Sequence, residues 1–193
     1  MLIYALYFCV IIFFIFDLFL GFKIIEYIYC SKIRKQPPMV SCVKQERKKI
    51  VKQILDCYPN AKNICDLGSG FGAQVRSLAN NTNATVFGIE NMLFSFLISR
   101  FLNIFSRKKS IIIWQDIFEY MDKTSIFFDV VIAYLDPKTT QKLKKYKNKI
   151  GVLITVDFEI EELPSTKIID IGSGYTIYNN KTYPHRLFIY EFN

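Results

Sequence analysis

At 193 residues the chain has room for one compact domain and an appendage, and two full domains would be cramped. Its hydrophobic fraction of 51% and mean hydropathy of +0.20 are high for a chain that meets only water. The formal charge of +8 admits nucleic acid as a partner, but much of it lies between Lys23 and Lys52, beside the most apolar stretch, where anionic lipid headgroups account for it more simply.

From Leu2 to Phe22 the only ionisable side chain is Asp17. A helix over that run, rising ~1.5 Å per residue, spans the ~30 Å hydrocarbon core, so one N-terminal transmembrane helix is expected. A cleaved signal peptide fits less well, because no basic residues precede the apolar run and no small-residue cleavage pattern follows it. Asp17 lies about one turn from Gly21, where a carboxylate reaches headgroups or takes up a proton. Lys23, Lys32, Arg34 and Lys35 follow the apolar run and nothing basic precedes it, which places the remainder of the chain on the cytoplasmic or mitochondrial matrix side. Cys9, Cys30, Cys42, Cys57 and Cys65 agree with a reducing compartment: they are odd in number and lack the spacing of a disulfide framework or a metal site. The tandem prolines of Gln36-Pro37-Pro38-Met39-Val40-Ser41 stop a helix, so residues 1–35 are read as anchor and basic juxtamembrane segment and residues 36–193 as one domain.

In that domain, Val43 to Cys57 carries apolar residues at helical spacing. Asn63 to Leu67 reads as a strand, Ala73 to Leu78 as a helix, and Thr85 to Glu90 as a second strand. A strongly apolar helix follows from Met92 to Phe105, closed by Arg107-Lys108-Lys109. Ser110 to Trp114 and Phe127 to Tyr134 are further strands, and such continuous apolar runs suit strands covered on both faces. A basic helix is expected over Thr139 to Lys149, a fifth strand over Gly151 to Val156, and tail strands over Lys167 to Ile171, Tyr175 to Tyr178 and Arg186 to Phe192. The alternation predicts an α/β, Rossmann-like, doubly wound and mostly parallel sheet with an antiparallel C-terminal edge.

Gly68, Gly70 and Gly72 stand two apart directly after the first strand, where missing side chains let the backbone turn sharply and approach a ligand. Glu90 ends the second strand, at the switch point where a carboxylate accepts hydrogen bonds from a ribose diol, and Asp116 follows the third, placed to receive the exocyclic amine of adenine. Each acid taken alone is as well explained by structure: Asp66 could cap a turn, and Glu90 and Asp116 could cap helices. Their common position at the carboxyl edge of one sheet favours an adenosyl ligand held by Asp66, Gly68, Ser69, Gly70, Gly72, Glu90, Asn91 and Asp116.

The order Asp-x-Gly-x-Gly-x-Gly over Asp66 to Gly72 resembles that of class I S-adenosylmethionine-dependent methyltransferases. The resemblance covers about Val40 to Asn193 and implies S-adenosylmethionine as cofactor, with Asp66 on its amino-acid part, the glycines along methionine and ribose, Glu90 on the ribose diol and Asp116 on adenine. A narrower likeness is to small membrane-anchored protein-lysine N-methyltransferases. It rests on the apolar anchor, Pro38-Met39-Val40-Ser41, Asp66 to Gly72, Tyr134-Leu135-Asp136-Pro137 and Val156-Asp157-Phe158-Glu159. The chain departs from these relatives at Phe71-Gly72-Ala73, where an acidic residue, glycine and a basic residue are usual.

That likeness implies methylation of a lysine on a membrane-associated protein, with the bilayer engaged through the N-terminal helix. Tyr134 and Asp136, ending the fourth strand, are the candidates for lining the acceptor channel and orienting the amine, although Tyr134 could be a core aromatic and Asp136 could start a turn with Pro137. Asp157 and Glu159 could hold the incoming ammonium or belong to a solvated acidic rim with Glu161 and Glu162, the simpler expectation. His185 is expected to be structural and Trp114 to pack beside the adenine. A lipid or small-molecule acceptor, and a cofactor-binding scaffold without catalysis, are the alternatives; oligomeric state and acceptor identity are not legible.

Overall fold

The computed structural model describes residues 2–28, 44–178 and 180–192. The chain divides into two units, Met1–Met39 and Val40–Asn193. In the first, α1 runs over Leu2–Ile28. Several of its side chains lie outside the described set, and among the described residues no helix is long and apolar enough to cross a membrane. The expected span therefore rests on the sequence alone. The proline connection and Lys32, Arg34 and Lys35 lie outside the described residues, as does Val43 at the start of the expected helix.

The second unit is built on α2 (Lys44–Cys57), β1 (Asn63–Leu67), α3 (Ala73–Asn81), β2 (Thr85–Glu90), α4 (Leu93–Ile104), β3 (Ile111–Trp114), α5 (Ile117–Lys123), β4 (Phe128–Ala133), α6 (Pro137–Gln141), β5 (Ile150–Val156), β6 (Lys167–Tyr178) and β7 (Lys181–Glu191). The seven strands form one sheet in the order β3-β2-β1-β4-β5-β7-β6. Strands β1 to β5 are mutually parallel, and β7 runs antiparallel to both β5 and β6. The mixed sheet and its C-terminal edge are as the sequence predicts.

Period-two alternation divides the core between the two faces of the sheet. Cys65, Leu67, Phe87, Ile89, Val131, Ala133, Leu153, Phe188 and Tyr190 pack on one side with Ile117, Tyr120, Met121, Leu143 and Tyr146. Their neighbours Ile64, Val86, Val130, Ile132, Val152, Ile154, Val156, Leu187 and Ile189 pack on the other with Ile50, Val51 and Ile54 of α2 and Val75, Leu78 and Ala79 of α3. Each of these strands is covered on both faces, which is why they read as unbroken apolar runs.

Three elements differ from expectation. The helix expected over Thr139 to Lys149 is α6, five residues capped by Asp136, followed by a 3-10 turn over Lys142–Tyr146. Tightening to three residues per turn brings Leu143 and Tyr146 onto one side, and both are buried. The seven-residue α5 was not expected, although Ile117, Tyr120 and Met121 have helical spacing after the N-cap Asp116. The first two tail strands are one strand, β6, whose register with β7 shifts between Asp170 and Tyr175. Four residues there oppose His185 alone, an irregularity of the kind that re-aims a side chain.

Candidate active site

The carboxyl edge of the parallel strands carries two constellations. The first is the turn after β1. Gly68, Gly70 and Gly72 have φ of 78°, 54° and 69°, left-handed values that glycine alone adopts without strain. Two amides, Gly68 N and Ser69 N, donate to Ile89 O at 2.9 and 3.0 Å, tying the turn to the end of β2. A Cβ at Gly72 would lie 2.0 Å from Ser99 Oγ of α4, and one at Gly68 would lie 2.8 Å from Leu135 Cδ2. A side chain at either position would force Leu135 or Ser99 to shift.

Glu90 is buried and clamps this turn from the end of β2. Its Oε2 accepts from Gly70 N at 2.6 Å and its Oε1 from Met92 N at 2.8 Å, so the carboxylate joins the glycine turn to the start of α4. Asp66, buried at the end of β1, has its carboxyl pushed up to about 7, first by burial and then by the charge of Glu90. Two like acids thus share one corner, which favours a ligand bringing cationic or hydroxyl donors. Four buried polar atoms around the turn lack a hydrogen-bond partner: Ser69 Oγ, Ser99 Oγ, and Oε1 and Nε2 of Gln74 at the start of α3. Glycine cradle, carboxylate pair and orphaned polar groups fit an adenosyl cofactor with a charged amino-acid arm.

Asp116, assigned to adenine, is committed in part to structure: its Oδ1 accepts from Phe118 N and Glu119 N at 2.9 and 3.1 Å as the N-cap of α5. The neighbouring Asn91 carbonyl accepts from Trp114 Nε1 at 3.0 Å. Trp114 itself stacks on Phe96 of α4 and is exposed at the end of edge strand β3.

The second constellation lies past the ends of β4 and β5. Asp136 does not enter it: its Oδ1 accepts from Lys138 N and Thr139 N at 3.1 and 3.2 Å, capping α6. Tyr134 does. Its hydroxyl donates to Asp157 Oδ2 at 2.6 Å and lies 3.0 Å from Thr176 Oγ1, which also donates to Asp157 Oδ2 at 2.6 Å. Burial, then the hydrogen bond to Asp157, holds the Tyr134 phenol above its ordinary value.

Asp157 is the hub, and the solvated-rim expectation is corrected for it: the residue is 2% exposed, whereas Glu159, Glu161 and Glu162 are exposed. His185 Nδ1 lies 3.0 Å from its Oδ2 and 3.2 Å from its Oδ1, and Arg186 N donates to Oδ1 at 3.2 Å. On the far side of the imidazole, Nε2 is 3.6 Å from Oε1 of buried Glu46 in α2. Asp157 has φ 66°, a left-handed conformation unusual for a non-glycine residue, held by Asp157 N donating to Arg186 O at 2.8 Å. Strain of this kind, of order 1–3 kcal/mol, concentrates where a side chain must point in a set direction.

The sheet register relates the two constellations. Leu67, Ala133 and Thr155 are aligned across β1, β4 and β5. With strands ~4.8 Å apart, Asp157 lies roughly 10 Å across the edge from the glycine turn, with Tyr134 between them. The sequence marks Asp157 and His185 separately, with nothing to join them, and does not mark Glu46 or Thr176. The strand-end rule that selected Glu90 applies equally to Asp157, which follows β5 directly; no signal in the sequence brings Glu46 to it.

No family model and no curated protein matches the chain. Solved structures do. An RNA methyltransferase from Salinibacter ruber, in complex with S-adenosyl-L-homocysteine, superposes with a TM-score of 0.62 at 19% identity, over 79% of this chain and 94% of that one. The fold is that of class I methyltransferases. Magnesium protoporphyrin IX methyltransferase from Synechocystis PCC 6803, with bound S-adenosylmethionine, gives 0.56 at 13% identity over 88% and 96% of the two chains. M. capricolum TrmK with S-adenosyl-homocysteine gives 0.56 at 17% identity over 75% and 68%.

Proposed function

We propose that this chain is an S-adenosylmethionine-dependent methyltransferase, anchored in a membrane by α1, that methylates a lysine amine on a membrane-associated protein. The cofactor reading is supported by the glycine turn with its paired acids and by structural neighbours crystallised with S-adenosylmethionine or its demethylated product. The observation that carries the amine reading is buried Asp157, facing His185 and Tyr134 with Glu46 behind, two strands from the cofactor turn. A buried carboxylate fixes an imidazole beside it, and an imidazole so fixed can take up the proton that a lysine ammonium brings.

The bound cofactor supplies an electrophilic methyl group. The chain's part is to hold the acceptor in line, exclude water and take up a proton, because a lysine amine with an ordinary pKa of ~10.4 arrives protonated. Asp157 fixes the imidazole through Nδ1, which leaves Nε2 as the atom able to receive that proton, with Glu46 Oε1 beside it to steady the charge. Tyr134 and Thr176 donate into Asp157 and keep its carboxylate aimed at the ring.

A membrane location is supported by the apolar run from Leu2 to Phe22, interrupted by Asp17 alone, and by the exposed Phe8, Phe13, Phe14 and Leu18 of α1; the basic residues after the run favour the cytoplasmic or matrix side for the second unit. An anchor raises the effective concentration of any membrane-embedded acceptor. Incubating membranes with methyl-labelled cofactor and the full chain, then separating protein from lipid and hydrolysing the protein, tests the reading. Label recovered as methyl-lysine is expected. Label confined to lipid would replace the acceptor class, and absence of transfer despite cofactor binding would leave a binding scaffold.

A further inference from the structure

The outward face of α4 is apolar where a helix covering a water-facing domain is normally polar. Ser95 and Ser99, one turn apart, are fully buried against the domain, while Leu93, Leu97, Phe101, Ile104 and Phe105 follow one another along the exposed side. Phe101 is 60% exposed and Phe105 73%, their rings paired edge to face at 5.4 Å. Edge strand β3 extends the patch with Trp114, 55% exposed, whose ring stacks on Phe96 of α4. An apolar surface shared by a helix and an adjoining strand is a contact surface, since soluble domains seldom leave such patches to water.

Charge identifies the occupant. Between Asn91 and Gln115 the sequence has four cations, Arg100, Arg107, Lys108 and Lys109, and no carboxylate. Arg100 lies over the Phe96 ring at 5.7 Å, beside the stripe, and the other three follow the C-terminal end of α4. A second copy of this chain, docking by the same face about a two-fold axis, would set four cations against four. Aromatic and aliphatic side chains bordered by Arg and Lys, with a tryptophan at the margin, are instead the pattern of a surface lying in the headgroup layer of an anionic bilayer.

We infer that α4 and Trp114 of β3 form a lipid-docking face that holds the domain against an anionic membrane surface, independently of α1. This goes beyond the acceptor assignment: a chain that transferred no methyl group would still dock. Docking would orient the domain and fix how far its carboxyl edge stands from the bilayer.

Trp114 is the only tryptophan in the chain and lies on this face, so it reports contact directly. The full chain is reconstituted into phosphatidylcholine vesicles with and without phosphatidylglycerol, with brominated acyl chains as quenchers. With the anionic lipid, Trp114 emission is expected to shift to the blue, to be quenched by the bromines, and to lose much of that quenching when salt is raised. Leu97→Glu combined with Phe101→Glu, both at exposed positions, should abolish the quenching while the variant keeps its circular dichroism and stays with the vesicles through α1. Trp114 that remains open to aqueous iodide in anionic vesicles would overturn the inference, as would equal quenching in the double variant. Protection from iodide already present in detergent without lipid would also overturn it, assigning the face to a second copy or to α1.

Discussion

Asp66→Asn isolates the cost of placing two acids in one corner of the sheet. A carboxyl moved from 3.8 to about 7 costs the folded chain on the order of 4 kcal/mol once both states are ionised, a ceiling that relaxation and water penetration lower. The sign follows from proton counting. Below about pH 4 folded and unfolded chains both hold the proton; between about 4 and 7 only the folded chain does, so this group makes stability fall as pH rises across that window. Above 7 the penalty is constant. Asparagine mimics the protonated acid at every pH, so the variant should match the parent near pH 4 and exceed it by up to about 4 kcal/mol at pH 8. Urea unfolding of the full chain in mild detergent, followed by far-ultraviolet circular dichroism from pH 4 to 8, reads the difference. A gap that stays constant with pH would mean that the Asp66 carboxyl is not held protonated in the folded chain.

Gly72→Ala should cost about 3 kcal/mol, combining a left-handed φ of 69° with a Cβ placed 2.0 Å from Ser99 Oγ; adding Ser99→Gly should recover the steric part in urea midpoints, and no recovery would show that the contact is not the cause. Asp157→Asn should raise KM for the amine acceptor and lower kcat while cofactor affinity, measured by calorimetry, is unchanged; an equal loss of cofactor binding would place Asp157 elsewhere in the mechanism. Tyr134→Phe removes one of several donors to Asp157 and should slow transfer up to about tenfold, in keeping with ~0.5–1.5 kcal/mol for a hydrogen bond; full activity would reduce Tyr134 to packing. Lys149 Nζ donates to the carbonyls of Met121, Asp122 and Thr124 and so closes the C-terminal end of α5, so Lys149→Met should cost about 2 kcal/mol of stability and leave cofactor affinity untouched.

The sheet was legible because its strands are covered on both faces, so Val86 to Ile89 and Val130 to Ala133 appear as apolar runs and Ile64 to Leu67 as one broken by Asp66, each followed by an acid or a turn. The cofactor corner was legible for the same reason: its residues lie at strand ends, and strand ends are visible in one dimension. Elements set by tertiary packing were less so. The 3-10 turn over Lys142–Tyr146 exists because Leu143 and Tyr146 must both face inward, and α5 is too short for its period to stand out. The constellation past β4 and β5 gathers Glu46, Tyr134, Asp157, Thr176 and His185 from five separate stretches of chain, and the register shift opposite His185 leaves no mark beyond a glycine-bearing run in β6. Asp116 and Asp136 carry the opposite lesson, since a carboxylate at a strand end that precedes a helix also serves as its N-cap.

The measurement that bears most directly on the account is calorimetric titration of the full chain with S-adenosylmethionine and S-adenosylhomocysteine, alongside Glu90→Ala. Saturable one-to-one binding of both ligands by the parent is expected, and its loss in the variant, whose glycine turn would no longer be tied to β2 through Gly70 N. Absence of binding by the parent, or equal binding by Glu90→Ala, would contradict it.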